Sequence, residues 1–108
     1  LSGGSDCPVE SFDVMENSQY AVTRTNFQTQ KSWYPENAVT LEEAIHMFTD
    51  EGAYASFAER TRGTISIGKE ADFAILDKDL FQTPVDKLNE IRVLGTVVKG
   101  NIVFKATD

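Results

Sequence analysis

The sequence is poor in the residues from which self-contained active sites are usually built, since its 108 residues include one Cys and one His. A lone Cys makes no intrachain disulfide, and one Cys with one His falls short of the protein ligands of a zinc site. Any chemistry must rest on carboxylates or draw on residues from elsewhere. No segment approaches the roughly 18 consecutive apolar residues of a spanning helix, so a membrane is not an expected partner. Positive charge is also scarce. Ten Lys and Arg stand against 17 Asp and Glu, a formal net charge of -7, with a pI near 4.6 and no basic cluster. Counterion release, which drives nucleic-acid binding, has little to act on, and nucleic acid is not expected as a partner either.

With 41% hydrophobic and 25% charged residues, the chain reads as one globular unit that buries about 65% of its unfolded surface. It begins at Leu1 and runs at once into Gly3-Gly4, which gives the expectation that it is a piece of a longer protein. Residues 1 to 8, with paired glycines, small hydroxyl residues and Pro8, read as a loop. From Ser11 to Arg24 neither Gly nor Pro occurs, and Phe12, Met15, Gln19 and Val22 approximate one helical stripe, capped by Ser11 or Asp13. Residues 25 to 39 form a long polar connection pinned by Phe27, Trp33 and Tyr34. Thr40-Leu41-Glu42-Glu43 is a capping box. The helix it opens places Leu41, Ala44, Ile45 and Phe48 on one face, and a second short helix is expected through Ala53, Tyr54, Phe57 and Ala58.

Beyond Gly63 the pattern becomes that of strands. Thr64 to Ile67 alternates in polarity, Gly68-Lys69 turns, and Ala71 to Leu76 is a short apolar run suited to a strand covered on both sides. Thr83-Pro84 opens a short helix or turn through Lys87 and Leu88. Arg92 to Val98 and Asn101 to Lys105 flank Lys99-Gly100, the signature of a hairpin with a two-residue loop. The chain is helical first and β afterwards.

Asp6 is the acidic residue inside the Gly-rich loop. Its carboxylate suits a metal ligand or a general base, while on local sequence alone a capping role through the same oxygens is the preferred reading. The segments Gly4-Ser5-Asp6-Cys7-Pro8-Val9, Thr40-Leu41-Glu42-Glu43-Ala44 with Thr49, Gly63-Thr64-Ile65-Ser66-Ile67-Gly68-Lys69-Glu70-Ala71-Asp72-Phe73, and Thr96 to Phe104 together resemble the C-terminal end of a metal-dependent amidohydrolase. The branch it is most similar to is that of the N-substituted formamide deformylases, and the likeness covers nearly the whole chain.

The resemblance implies an α+β fragment. Residues 1–58 would be the end of a (β/α)8 barrel, with the active-site loop and following helices, and residues 59–108 the C-terminal part of a β-sandwich completed by strands from the other chain end. It implies that Asp6 is both a metal ligand and the catalytic proton carrier in hydrolysis of a C–N bond. The metal would be a divalent cation, zinc by expectation, in the longer parent, with none expected in this chain alone. Implied partners are the rest of the parent chain and a small amide-like substrate. The bare helix faces and strand edges give the further expectation of self-association. A non-catalytic regulatory or interaction protein on a degenerate scaffold is the alternative. His46 reads as a surface residue, Cys7 as packing, and Asp72 as a backbone-bonding residue at a strand start. Trp33 and Tyr34 are divided between lining a substrate entrance and packing the loop.

Overall fold

A computed structural model describes residues 1–107. The order is α1 (Val14–Thr23), a short 3-10 turn (Pro35–Asn37), α2 (Leu41–Phe48), α3 (Asp50–Ala55), β1 (Phe73–Leu76), a 3-10 helix (Val85–Glu90), β2 (Val93–Val98) and β3 (Asn101–Lys105). The three strands form one antiparallel sheet in the order β1-β2-β3.

Local chemistry sets the helix ends. Asp13 is the cap of α1, its carboxylate accepting from the Met15 amide at 2.8 Å and the Glu16 amide at 3.3 Å, so helix α1 begins three residues later than Ser11. Phe12 then lies outside the helix and is 81% exposed, whereas Met15, Ser18 and Gln19 form the buried stripe. The capping box at Thr40 is complete: the Thr40 hydroxyl accepts from the Glu43 amide, and the Glu43 carboxylate accepts from the Thr40 amide at 2.7 Å. That hydrogen bond from the Thr40 backbone holds the Glu43 carboxyl below its ordinary pKa.

The second short helix forms earlier than its apolar spacing implies. It ends at Ala55 because the Ala58 amide returns to the Ala53 carbonyl and the Phe57 amide to the Tyr54 carbonyl, a Schellman closure with Phe57 at the left-handed position, φ 57°. Phe57 is consequently outside the helix and 92% exposed.

Two expectations for the β half are corrected. Thr64 to Ile67 is not a strand. Positive-φ glycines bound it, Gly63 at 100° and Gly68 at 90°, and the Lys69 amide closes a turn on the Ser66 carbonyl; polarity alternates there without a neighbouring strand to pair with. β1 is also not covered on both sides, since Phe73, Ala74 and Ile75 are all exposed. It is an edge strand on β2, with β3 as the other edge. The hairpin itself forms as its sequence implies: Lys99 and Gly100 both have positive φ, 50° and 78°, matching the right-handed twist of the flanking strands.

The core lies between α1 and the Val85–Glu90 helix. Met15, Leu88 and Ile91 are buried together, with Leu41, Leu76 and Leu80 packed around them. Gln19 is buried beside them and paired at both ends of its amide, the nitrogen donating to the Asp86 carbonyl and the oxygen accepting from the Asn89 amide, each at 2.9 Å.

Gly63 sits where α3 meets the β half. A Cβ there would lie 2.8 Å from Ala53 Cβ and 2.9 Å from Asp50 Cα, at a φ that other residues rarely adopt. Gly63→Ala should therefore destabilise the fold by about 2–4 kcal/mol through combined strain and overlap. Gly4→Ala, which meets nothing within 4 Å, should leave it nearly unchanged. Denaturant midpoints of the two variants check this, and equal midpoints would refute it.

Candidate functional site

The loop that carries Asp6 is held at its base. The Gly3 amide donates to the Met47 carbonyl at 2.9 Å, and a Cβ on Gly3 would fall 2.8 Å from the Phe48 ring, so a larger residue there would require that ring to shift. Beyond it the chain turns sharply. Asp6 has φ 52°, a left-handed conformation that Asp tolerates better than most residues, and its carbonyl accepts from the Val9 amide at 2.9 Å. The Cys7 amide donates to the Ser5 hydroxyl at 3.3 Å.

The Asp6 side chain is exposed and its carboxylate makes no hydrogen bond among the described residues, so the capping role belongs to Asp13 instead. Cys7 is exposed as well, contrary to its reading as a packing residue. Among the described residues no three His, Cys, Asp or Glu side chains come together to hold a metal ion. Asp6 offers one donor where zinc sites use three or four protein ligands, so the described residues near it do not by themselves fit a metal.

The Gly63 to Phe73 segment is organised by its acids. The Asp72 carboxylate accepts from the Lys99 amide at the hairpin tip, 2.8 Å away, as expected of a residue that bonds backbone at a strand start. Glu70 lies between two cations, Arg62 Nη2 and Lys99 Nζ, each at 3.5 Å. Its Oε2 is buried and lacks a well-aligned hydrogen bond, so the pairing is Coulombic rather than directional. Nothing in the sequence marked Glu70 out, because its partners lie far along the chain. At the far end of β1 the Asp77 carboxylate accepts from the Arg92 amide at 2.8 Å and from Arg92 Nε at 3.1 Å. The amide bond first, then the guanidinium, hold its carboxyl below the ordinary range. These acids fasten the fold and do not converge on Asp6.

Of the loop aromatics, Phe27 stacks on Tyr20 with ring centroids 4.1 Å apart and pins the connection to α1. Trp33 and Tyr34 meet edge to face at 5.1 Å and remain exposed.

The sequence profile of the Amidohydrolase family matches residues 1–104. The chain belongs to the Amidohydrolase family. The protein YtcJ of Bacillus subtilis (strain 168), named as an amidohydrolase, is 33% identical over 106 residues, which is 96% of this chain and 20% of that protein. N-substituted formamide deformylase of Arthrobacter pascens is 33% identical over 107 residues, 99% of this chain and 20% of that enzyme. Protein LONG AFTER FAR-RED 3 of Arabidopsis thaliana is 30% identical over 104 residues, 96% of this chain and 18% of that protein. The chain thus spans about a fifth of the length of the curated relatives it matches. No solved structure matches it.

His46 lies at the surface of α2, with Nδ1 2.7 Å from Asp50 Oδ1. The hydrogen bond to Asp50, and then the Asp50 charge, raise the His46 pKa above its ordinary value. The same bond lowers that of Asp50. A raised His pKa contributes stability that is full below about 6.5 and is lost as pH rises through the folded value. A lowered Asp pKa contributes stability that is full above about 3.9 and is lost as pH falls through the folded value. The junction of α2 and α3 should therefore be firmest between those limits. An NMR titration of the His46 ring should give a midpoint above 6.5, returning toward 6.5 in Asp50→Asn; an identical midpoint in the two proteins would show that the pair does not persist in solution.

Proposed function

We propose that this chain is the C-terminal part of a longer metal-dependent amidohydrolase that hydrolyses a C–N bond in a small amide-like molecule, with Asp6 as the catalytic residue the chain contributes. The observation that carries the reading is a family match running through the Asp6 loop, in which that carboxylate is exposed and makes no hydrogen bond among the described residues. The name of the Arthrobacter relative, an N-substituted formamide deformylase, supports an amide-like substrate. Residues 1–58 are assigned to the end of the barrel and residues 59–108 to the C-terminal part of the sandwich. The other donors to a metal, zinc by expectation, belong to the remainder of the longer protein. In the proposed reaction the Asp6 carboxylate takes a proton from water as the water oxygen attacks the carbonyl carbon. It then passes that proton to the nitrogen as the C–N bond breaks. This chain by itself is inactive on that reading.

Surface supports the same proposal. The chain exposes 7947 Å², whereas a compact monomer of 12.0 kDa exposes about 6,000 Å². The excess is of the order of a large obligate interface, roughly 2,000 Å² and upward, and Ile65, Ile67, Ile102 and Phe104 are among the residues left bare. The rest of the parent chain is the proposed cover. Without it, the 108-residue chain should self-associate through these surfaces and strand edges. Sedimentation equilibrium at low micromolar concentration is expected to show a dimer or larger species; a compact monomer that binds no hydrophobic dye would contradict this.

The catalytic assignment is tested in the longer protein by Asp6→Asn, which removes the proton acceptor at almost constant volume. Turnover should fall by about 10² to 10⁴ while the circular dichroism spectrum stays that of the unaltered protein. Retained turnover would exclude Asp6 from the reaction.

A further inference from the structure

A cleft of about 300 Å³ opens between the segment following the Asp6 turn, α1 and the arm at residues 24–33, lined by Glu10, Asn17, Tyr20, Arg24, Asn26 and Trp33 among others. Its volume stands at the lower end of ligand pockets, which run from about 300 to 1,000 Å³, and suits a molecule of amino-acid size.

Arg24 is fixed within it. Its amide donates to the Tyr20 carbonyl at 2.8 Å, its carbonyl accepts from the Trp33 amide at 2.8 Å, and its Nε donates to the Trp33 carbonyl at 3.2 Å. The two Nη groups remain without hydrogen bond or ion pair among the described residues, whereas Arg62 and Arg92 are each paired with a carboxylate. Glu10 also has no ion-pair partner there, although it shares the cleft with Arg24. Burial pushes the Tyr20 phenol up, and the charges of Glu16 and Glu10 push it further, so the Glu10 charge is felt at the cleft lining. Trp33 adds an indole that is 70% exposed. The Asn17 side chain is engaged with the Ser11 and Asp13 carbonyls and that of Asn26 with its own turn, so these two shape the wall.

One cation prevented from relaxing, one separate anion and one bare aromatic ring are complementary to a molecule that carries both charges and an apolar group. We propose that this cleft binds a zwitterion of the α-amino-acid class, its carboxylate on the Arg24 guanidinium, its ammonium on Glu10 and its side chain against Trp33. A guanidinium with two parallel donors matches a carboxylate, and an apolar side chain packed on the indole removes exposed aromatic surface from water. The proposal does not depend on Asp6.

Trp33 is the chain's only tryptophan, so its fluorescence reports occupancy directly. Leucine, N-acetylleucine and leucinamide, titrated into the 108-residue chain, present both charges, the anion alone and the cation alone. Leucine should saturate, and each single-charge analogue should bind about tenfold or more weakly, because one charge-assisted contact is missing. Arg24→Gln should weaken leucine and N-acetylleucine while sparing leucinamide, and Glu10→Gln should weaken leucine and leucinamide while sparing N-acetylleucine. The three-ligand comparison needs no variant and so stands even if Arg24→Gln loosens the arm. Equal binding of the three ligands, or no saturation by leucine up to its solubility limit, would overturn the proposal.

Discussion

The buried amide of Gln19 is the point on which the rest of the architecture turns. It joins α1 to a helix 67 residues away through the Asp86 carbonyl and reaches the Asn89 amide through its oxygen. Met15, Leu88 and Ile91 close over the same contact. A buried amide left unpaired would cost about 1–3 kcal/mol, so the contact is specific as well as attractive: a slip of either helix along its axis loses both hydrogen bonds together. The α2–α3 pair and the sheet are placed by reference to this seam, and so is the loop that leans on the end of α2 through Gly3.

What could be read from the sequence was what short-range chemistry decides. The Thr40–Glu43 box, the Asp13 cap and the Lys99-Gly100 tip each involve residues within four positions of one another, and each formed as its residues dictate. Thr64 to Ile67 shows the limit. Alternating polarity states which side of a strand would be buried, but a strand exists only where another strand supplies hydrogen bonds, and here two positive-φ glycines curl the segment away. Phe57 shows another, since a bulky residue is not expected at a left-handed helix end and its aromatic spacing suggested continuation instead.

The candidate site was legible only through the family likeness. The Gly-rich setting of Asp6 favoured a cap and only the family resemblance pointed to a site; the structure puts the α1 cap at Asp13, and the catalytic role of Asp6 is our proposal. Arg24 could not be singled out at all. It looked like the last residue of a helix, and its interest comes from three hydrogen bonds that hold it while its outer nitrogens have no partner among the described residues. Glu70 was equally hidden, because its two cations lie 8 and 29 positions away along the chain.

The Asp72 carboxylate on the Lys99 amide gives the sheet an order of opening. Hairpin tips are ordinarily among the first places to exchange their amide hydrogens with solvent, since nothing but the turn holds them. Here the Lys99 amide is bound by Asp72 and the Gly100 amide by the Ala71 carbonyl, so the tip of the β2–β3 hairpin is laced to the start of β1. The three strands share one clasp at that end. At the other end β3 stops opposite Gly95, held by β2 alone, while β1 runs on to pair with Val93. Local melting should therefore start at the Lys105 end of β3 and reach the loop last, the reverse of an ordinary hairpin.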